Sequence, residues 1–434
     1  MQPKTGTIAV TISVTIAAGL LLPVVQASES SGERERTGVA AAVEAFRDFH
    51  GITGGAIAIL HNRQLIYRET FGEADLASHA PVDGNTRFQL SSSTKLFTGT
   101  LMAMLARDGL VDFAAPVRKY LQQLPESWSD VLLEDIMAHL SGLPEVLECN
   151  ESADREAALR CVQARERPGP RRERFRYSQT NYLLALMVVE AVTGDTFADA
   201  LAERVLGPAG MTCALWSGDS HAAVPRRATG YYPDEAGGVA IREYQFPTFL
   251  MSAAGLNATL TDMIAFARAL DAGVLVDAAW RERMWRAPVM ASGSAGFYAI
   301  GWDLRELRDG GHSAGHEGGS LTTFRVYPGA RLSVIVLTNG VRRYFGLDSF
   351  ADLLAELVVP DILPAWESQA YRARLRYLQD GVEAAFDTLA DGDCANGGDA
   401  AKCNDLLDWL AEELDEAGRS GDAALLRAKH KPAP

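Results

Sequence analysis

Apolar and polar positions alternate over residues 56–60 and again over 65–67, with the polar stretch His61-Asn62-Arg63-Gln64 between them, and this two-residue period predicts a hairpin. A second hairpin is predicted over 323–327 and 332–337, joined around Pro328-Gly329. Between them the spacing becomes helical: Leu96, Phe97, Leu101, Met102 and Leu105 recur every three to four residues, and so do Leu183, Leu184, Met187, Val188 and Val189. Strands near both ends with helices between imply that the ends meet in one sheet. Pro360 and Pro364 break the pattern, and residues 361–434 read as two or three amphipathic helices interrupted by Asp391-Gly-Asp-Cys-Ala-Asn-Gly-Gly-Asp399. That tail carries 15 acidic and 8 basic side chains, and its Asp408, Glu412 and Glu413 read as a solvated helix face.

The start of the chain has a different pattern. Lys4 is followed by an apolar run from Ile8 to Val25, the small-residue pattern Val25-Gln26-Ala27 and polar Ser28-Glu29-Ser30, which together read as a signal peptide over 1–27. Thr11, Ser13, Thr15 and Pro23 thin the run relative to a membrane anchor. The expectation is an exported protein, periplasmic or extracellular in a bacterium, with no stable membrane span after cleavage. Export permits disulfides, and the cysteines fall into local groups: Cys149 with Cys161 and Cys394 with Cys403, leaving Cys213 as a packed thiol; the alternative is five reduced, buried cysteines.

Composition narrows the function classes. The 434 residues are 47% hydrophobic and 22% charged, enough for a sizeable core. With 41 Lys and Arg against 56 Asp and Glu, the formal charge of -15 opposes a nucleic-acid partner. No Cys/His group has metal-ligand spacing, so neither a metal nor a cofactor is expected.

Ser92-Ser93-Thr94-Lys95 is the one S-x-x-K in the chain and opens the first helical pattern. Residues three apart share a helix face, so the Ser92 hydroxyl and Lys95 amine are placed side by side. A serine hydroxyl is a poor nucleophile until its proton is taken, and a desolvated lysine can take it. Backbone N–H groups at the helix start add a site for a developing oxyanion. Alone, the motif is also met as an N-capping serine run with a solvated lysine. Two further motifs follow in order: Tyr177-Ser178-Gln179 at the start of a second helix, and His312-Ser313-Ala314-Gly315 before the terminal hairpin.

On these motifs the chain resembles the serine β-lactamase-related family, which holds class C β-lactamases, D-alanyl-D-alanine carboxypeptidases, penicillin-binding proteins and related esterases and D-amino-acid peptidases. Supporting text runs from residue 40 to 345 and includes Phe88-Gln-Leu-Ser-Ser92, His139-Leu-Ser-Gly-Leu-Pro144, Phe175-Arg-Tyr-Ser-Gln-Thr-Asn-Tyr182, Ala254-Gly-Leu-Asn-Ala-Thr259 with Asp262, Gly301-Trp302 and Val336-Leu-Thr-Asn339. The resemblance implies a mixed α and β fold, an antiparallel sheet flanked by helices with a helical subdomain, over 33–360, with 361–434 as a helical extension. It implies Ser92 as nucleophile, Lys95 as proton acceptor and Tyr177 as a phenol that passes the proton to the leaving group; independently of the resemblance, hydroxyl, amine and phenol can pass one proton around a ring, provided burial and the Lys95 charge are balanced so that the Tyr177 pKa falls. The backbone N–H groups of Ser92 and Gly315 form the implied oxyanion hole, and Gln179, Asn181, His312, Ser313 and Ala314 contact the substrate.

Three departures qualify this picture. Gln179 stands where the family usually has Asn, so either the longer amide is repositioned or Asn181 substitutes. His312 replaces the lysine of β-lactamases and penicillin-binding proteins, which favours peptidase-like or esterase-like chemistry on a small molecule or peptide. Ala314 replaces the usual glycine; the alternative register His316-Glu317-Gly318 restores that glycine but shortens the run to the hairpin. A catalytically silent binding protein on the same fold is the rival reading. His139 reads as a structural histidine in a tight turn. The segment 165–176 carries six arginines and two glutamates, read either as a solvated loop or as a grip for a substrate carboxylate.

Overall fold

The computed structural model describes residues 22–149, 154–217, 224–241, 246–343, 346–390 and 400–429. The expected signal peptide, apart from residues 22–27, lies outside them. No helix of the described residues is long and apolar enough to cross a membrane.

Helix α1 (Leu22–His50) leads into the predicted first hairpin, β1 (Gly54–His61) and β2 (Gln64–Asp75), followed by the short edge strand β3 (Ala80–Pro81). Asn62 and Arg63 both take positive φ, 51° and 66°, which gives the tight connection the twist of its flanking strands. The late strands are β4 (Asp303–Glu306), β5 (His312–Gly318), β6 (Thr322–Tyr327) and β7 (Leu332–Thr338). All seven form one antiparallel sheet in the order β3-β2-β1-β7-β6-β5-β4. The ends of the chain meet as expected: β1 pairs with β7, Ala58 opposite Ile335.

Alternation along the strands feeds two apolar layers. Ala56, Ala58, Leu60, Phe324 and Val326 belong to the layer that holds α2 (Thr94–Arg107) and α4 (Leu260–Asp271) against the sheet, with α3 (Gln179–Thr193) packed on α2. Ile57, Ile59, Val334 and Val336 face α1 and α5 (Leu347–Val358). Because both sheet faces are covered, β7 is buried at every position. Helix α4 is started by a reciprocal cap: Thr259 Oγ1 accepts from the Asp262 N–H while the Asp262 carboxylate accepts from the Thr259 N–H. Helix α2 lies directly on the segment before β4, since a Cβ at Gly99 would stand 2.1 Å from the Ile300 carbonyl oxygen. That contact sets the depth at which Lys95, one turn earlier, is buried.

The tail forms four helices among the described residues: α6 (Ala365–Asp380), α7 (Val382–Ala390), α8 (Ala400–Glu416) and α9 (Ser420–Arg427). They share a cluster through Ala385, Leu407, Leu410 and Leu426, while Tyr371 and Leu375 of α6 pack with Phe350 and Val334 under the sheet. Packing is therefore continuous across residue 360. Cys149 and Cys161 are disulfide-bonded and Cys213 is free. Cys403 is also disulfide-bonded; its expected partner Cys394 lies outside the described residues.

Candidate active site

Ser92 sits in the turn Ser91–Ser93 that opens α2, half-exposed between buried neighbours. Ser93 clamps this turn to the sheet by donating its hydroxyl to the His316 carbonyl at 2.8 Å. One helical turn on, the fully buried Lys95 Nζ donates to Ser92 Oγ at 3.3 Å and to the Ala253 carbonyl at 3.0 Å. It also lies over the rings of Tyr177 and Tyr182, 4.8 Å and 5.0 Å from their centroids. Burial lowers the Lys95 pKa to about 7, opposed by the field of Glu145. An amine so placed exchanges protons near neutral pH, which the aqueous side chain does not.

Tyr177 stands just ahead of α3, with its hydroxyl hydrogen-bonded to the side chains of Ser92 and Gln179. Its surroundings push the phenol pKa well up, burial outweighing both hydrogen bonds. This direction is opposite to the lowered Tyr177 pKa expected from the sequence: desolvation of the hydroxyl outweighs its hydrogen bonds to Ser92 and Gln179 and the Glu145 field adds to it, although the side chain as a whole is 41% exposed. His139, in a left-handed backbone conformation with φ 57°, supports this segment from beneath. Its Nδ1 accepts from the Ser178 N–H at 3.1 Å and faces the Asn181 amide at 3.2 Å, and its ring lies 4.3 Å from that of Tyr177. Burial, then the charge of Lys95, keeps it neutral.

The third motif is placed differently from the expectation. Alternate residues of β5 point to opposite faces, and Ser313 points away from the cleft, buried against Arg325, whose guanidinium donates to its hydroxyl at 3.0 Å. His312 is exposed at the far end of β5, opposite Glu306, four residues or roughly 13 Å of strand from His316. Ala314 packs its methyl into the core with Phe324 and Val326. Gly315 is paired on both sides, with Asp303 of β4 and Arg325 of β6. His312, Ser313, Ala314 and Gly315 are therefore not the part of β5 that meets the Ser92 turn. The other register is: a Cβ at Gly318 would stand 2.0 Å from the Leu90 carbonyl oxygen and 2.9 Å from the Ser93 nitrogen, and one at Gly319 2.9 Å from Ser91 Oγ. Only glycine permits that approach. His316 is buried, with its ring 6.1 Å from that of Tyr177. Burial and the nearby Lys95 lower its pKa to about 3, so it is neutral. The glycine of that register is the residue at this approach, and the short run to the hairpin is no obstacle to it, because Gly319-Ser320-Leu321 suffices to connect β5 and β6.

Asn181 does not reach the cleft. Its amide is buried, accepting from Ser141 Oγ at 2.6 Å and facing His139. Gln179 does reach it, through the Tyr177 hydroxyl, so the longer side chain has been repositioned without help from Asn181. Most of the arginine segment is held by partners within the protein, while Arg174 is exposed. Arg171 and Arg172 converge on buried Asp135, at 2.6 and 2.7 Å, while Arg167 pairs with Asp130 and Arg165 with Glu148. These pairs pin the loop that leads into Tyr177, so the reading of Arg171 and Arg172 as a carboxylate grip is not supported.

Sequence reasoning missed Glu145, Tyr182, Tyr298 and the Ala253 carbonyl. Glu145 directly follows the His139 to Pro144 turn, but only the tertiary fold shows that its carboxylate accepts from the Gln179 N–H at 2.9 Å beside Tyr177. Tyr298 closes the aromatic wall, its ring 4.9 Å from that of His139 and 5.5 Å from that of His316. No group of His, Cys, Asp and Glu suited to a metal ion occurs among the described residues.

Comparison with known proteins agrees with this fold. A D-aminopeptidase of Cereibacter sphaeroides is 31% identical over 307 residues, covering 66% of this chain and 56% of the relative, so the chain spans little more than half the length of that protein. Penicillin-binding protein 4* of Bacillus subtilis is 23% identical over 312 residues, covering 66% of this chain and 68% of the relative. The penicillin-binding protein structure from Bacillus halodurans superposes with a TM-score of 0.63 at 21% identity, over 73% of this chain and 98% of that one, a likeness of fold. The family model described as Beta-lactamase matches residues 39–357, and with the Ser92, Lys95 and Tyr177 motifs collinear inside that span, the chain belongs to the β-lactamase family of serine hydrolases.

Proposed function

We propose that the protein is an exported serine hydrolase that cleaves an amide or ester bond through an acyl-Ser92 intermediate, with peptidase-like or esterase-like rather than strong β-lactamase activity. The observation that carries this reading is the Lys95 amine, wholly buried yet 3.3 Å from Ser92 Oγ. As Ser92 Oγ bonds to the substrate carbonyl carbon, its proton passes to Lys95 Nζ. The Tyr177 hydroxyl then protonates the departing nitrogen or oxygen and is reprotonated from Lys95, and water attacks the acyl-enzyme to release the acid and restore Ser92. The oxyanion is assigned to the backbone N–H groups of Ser92 and Gly319, the residue after His316-Glu317-Gly318, in place of Gly315. The name of the D-aminopeptidase relative supports amide substrates carrying a D-residue. Export is supported by the pattern of residues 1–27 and by the Cys149 to Cys161 disulfide.

The rival reading, a silent binder, loses its two supports: the Ala314 methyl is packed in the core, and Gln179 is engaged with Tyr177. Incubation with a fluorophosphonate, and separately with a β-lactam, followed by mass spectrometry should place a covalent adduct on the Ser92 peptide. An unmodified Ser92 with both reagents would overturn the hydrolase reading.

The lowered Lys95 pKa fixes the sign of the pH response. Below about pH 7 the amine is protonated and cannot accept the Ser92 proton; above it the free base dominates. The kcat/KM profile should therefore rise tenfold per pH unit and bend to a plateau near pH 7. A profile flat from pH 5 to 8 would remove Lys95 as the base.

A further inference from the structure

The end of β5 that meets the Ser92 turn is held by the sheet on one side only. Pairing with β4 runs from His312 to Gly315 and stops there, whereas on the other side Glu317 pairs with Thr323 and Gly318 with Thr322 of β6. Gly318 and Gly319 follow one another, and Gly319 takes φ 58°, so the backbone here has little stiffness of its own. From the cleft, the Ser93 hydroxyl holds the His316 carbonyl at 2.8 Å. The depth of this strand end decides where the Gly319 N–H stands relative to Ser92.

Behind the sheet, Glu317 reaches the start of α5. Its carboxylate accepts from the Asp348 N–H at 3.4 Å and from the Leu347 N–H, the first two residues of that helix. Gly346, at the capping position, has no side chain to offer those groups, so the strand supplies the acceptor that the helix start lacks. The helix is a firm anchor: the Phe350 ring stacks on that of Phe46 in α1 at 4.2 Å, and Leu347 and Leu354 are buried with Val334 and Val336. The charged groups facing Glu317 are Asp348 and Asp352 of α5, Asp303 and Arg305 of β4, and Arg325 of β6. Both arginines are paired with aspartates, and no ion pair to Glu317 occurs among the described residues. Burial and the field of Asp348 push its carboxyl up to about 7, opposed by the two N–H groups and then by Arg305. Hydrogen bonds to the helix start, rather than a salt bridge, hold this side chain.

We propose that Glu317 is a positioning residue for the oxyanion hole: by capping α5 it fixes the one-sided end of β5 at the depth that the Gly319 N–H needs as a donor, and so sets the rate at which Ser92 is acylated. The inference rests on the hydrolase reading and on its assignment of the oxyanion to Ser92 and Gly319. A preorganised donor stabilises developing charge only while its position is held, and two successive glycines leave that task to the neighbouring side chain. Glu317 acts through the backbone, while the bond-breaking groups remain Ser92, Lys95 and Tyr177.

The test is the second-order rate of fluorophosphonate labelling of Ser92, followed by mass spectrometry at about pH 8, where the Glu317 carboxylate is ionised. Glu317→Leu removes the acceptor and should slow labelling about tenfold. Glu317→Gln keeps one acceptor oxygen for the N–H groups of α5, as the protonated acid does, and should label within about threefold of wild type. Glu317→Asp keeps the charge but withdraws the acceptor by one methylene; it should be slowed severalfold, and it provides the reading if Glu317→Leu does not fold. A role in stability alone would shift the urea midpoint and leave the labelling rate of the folded variants unchanged. Wild-type rates in folded Glu317→Leu or Glu317→Asp protein, or a loss in Glu317→Gln as large as in Glu317→Leu, would overturn the inference while the hydrolase reading stands. A wild-type protein that is not labelled at all would overturn both, so the two failures are distinguishable.

Discussion

Ser92→Ala should lower kcat by about 10⁴-fold or more while leaving the protein folded, because the change removes one half-exposed oxygen from a site whose walls are built by other residues. Its effect on stability should be within ~0.5 kcal/mol. Lys95→Met should match the loss of activity, since the remaining groups offer no base of suitable pKa: Tyr177 is pushed up by burial, and His139 and His316 are both held low by it. Unlike most core substitutions, it should not reduce stability by more than ~1 kcal/mol, because the thioether fills similar volume without a buried amine to desolvate. Purified Ser92→Ala protein retaining more than about a hundredth of wild-type turnover would reject the mechanism.

The largest expected effect on stability comes from behind the sheet. Arg325 on β6 is fully buried, yet its guanidinium donates to Asp303 and Asp348, each at 2.7 Å, and to Ser313 Oγ. Asp348 at the start of α5 accepts also from Thr323 Oγ1 at 2.5 Å, and Arg305 and Tyr327 join the group through Asp352. Burial alone would raise the Asp348 carboxyl, but Arg325 and Arg305 outweigh it and hold the pKa at about 2. Arg325→Leu leaves these carboxylates facing an apolar side chain, and should cost ~3–5 kcal/mol by urea unfolding. The sign with pH follows. A carboxylate whose pKa is depressed in the folded state stabilises above its unfolded value, near 4, and loses that contribution as pH falls toward 2. The gap between wild type and Arg325→Leu should therefore be full at pH 7 and narrow below about pH 4. A cost under ~1 kcal/mol at pH 7 would show that the cluster is not a stabilising unit.

The two predictions concern opposite faces of one strand, and the sequence is informative about only one of them. On β5, His316 and Gly318 belong to the face toward Ser92, while Ser313 and Glu317 face Arg325 and Asp348. Reading the motif at His312 kept the residue type and shifted the position by four, an even number that preserves the face and moves the residue along the strand to its exposed end. The Gly318 contact with the Leu90 carbonyl, which distinguishes the two registers, is a long-range approach without a local sequence signature.

The hairpins, the S-x-x-K at a helix start and the Tyr177 motif were legible because each depends on near neighbours. A period of two buries one face of a strand, and a spacing of three puts Ser92 and Lys95 on one side of a helix wherever that helix lies. The local pairing of Cys149 with Cys161 was legible for the same reason. What the tertiary structure alone decided depends on desolvation and on groups far apart in the chain. The role proposed for Lys95 as base rests on α2 being pressed onto Ile300 and on the Ala253 carbonyl that meets its amine; the role proposed for Tyr177 as donor rests on desolvation of its hydroxyl. Arg171 and Arg172 are structural because Asp135 is buried beneath them, and Glu145 lies beside Tyr177 because α3 begins there. Spacing reports which side chains can share a face, whereas charge state follows from how much water the completed fold removes around them.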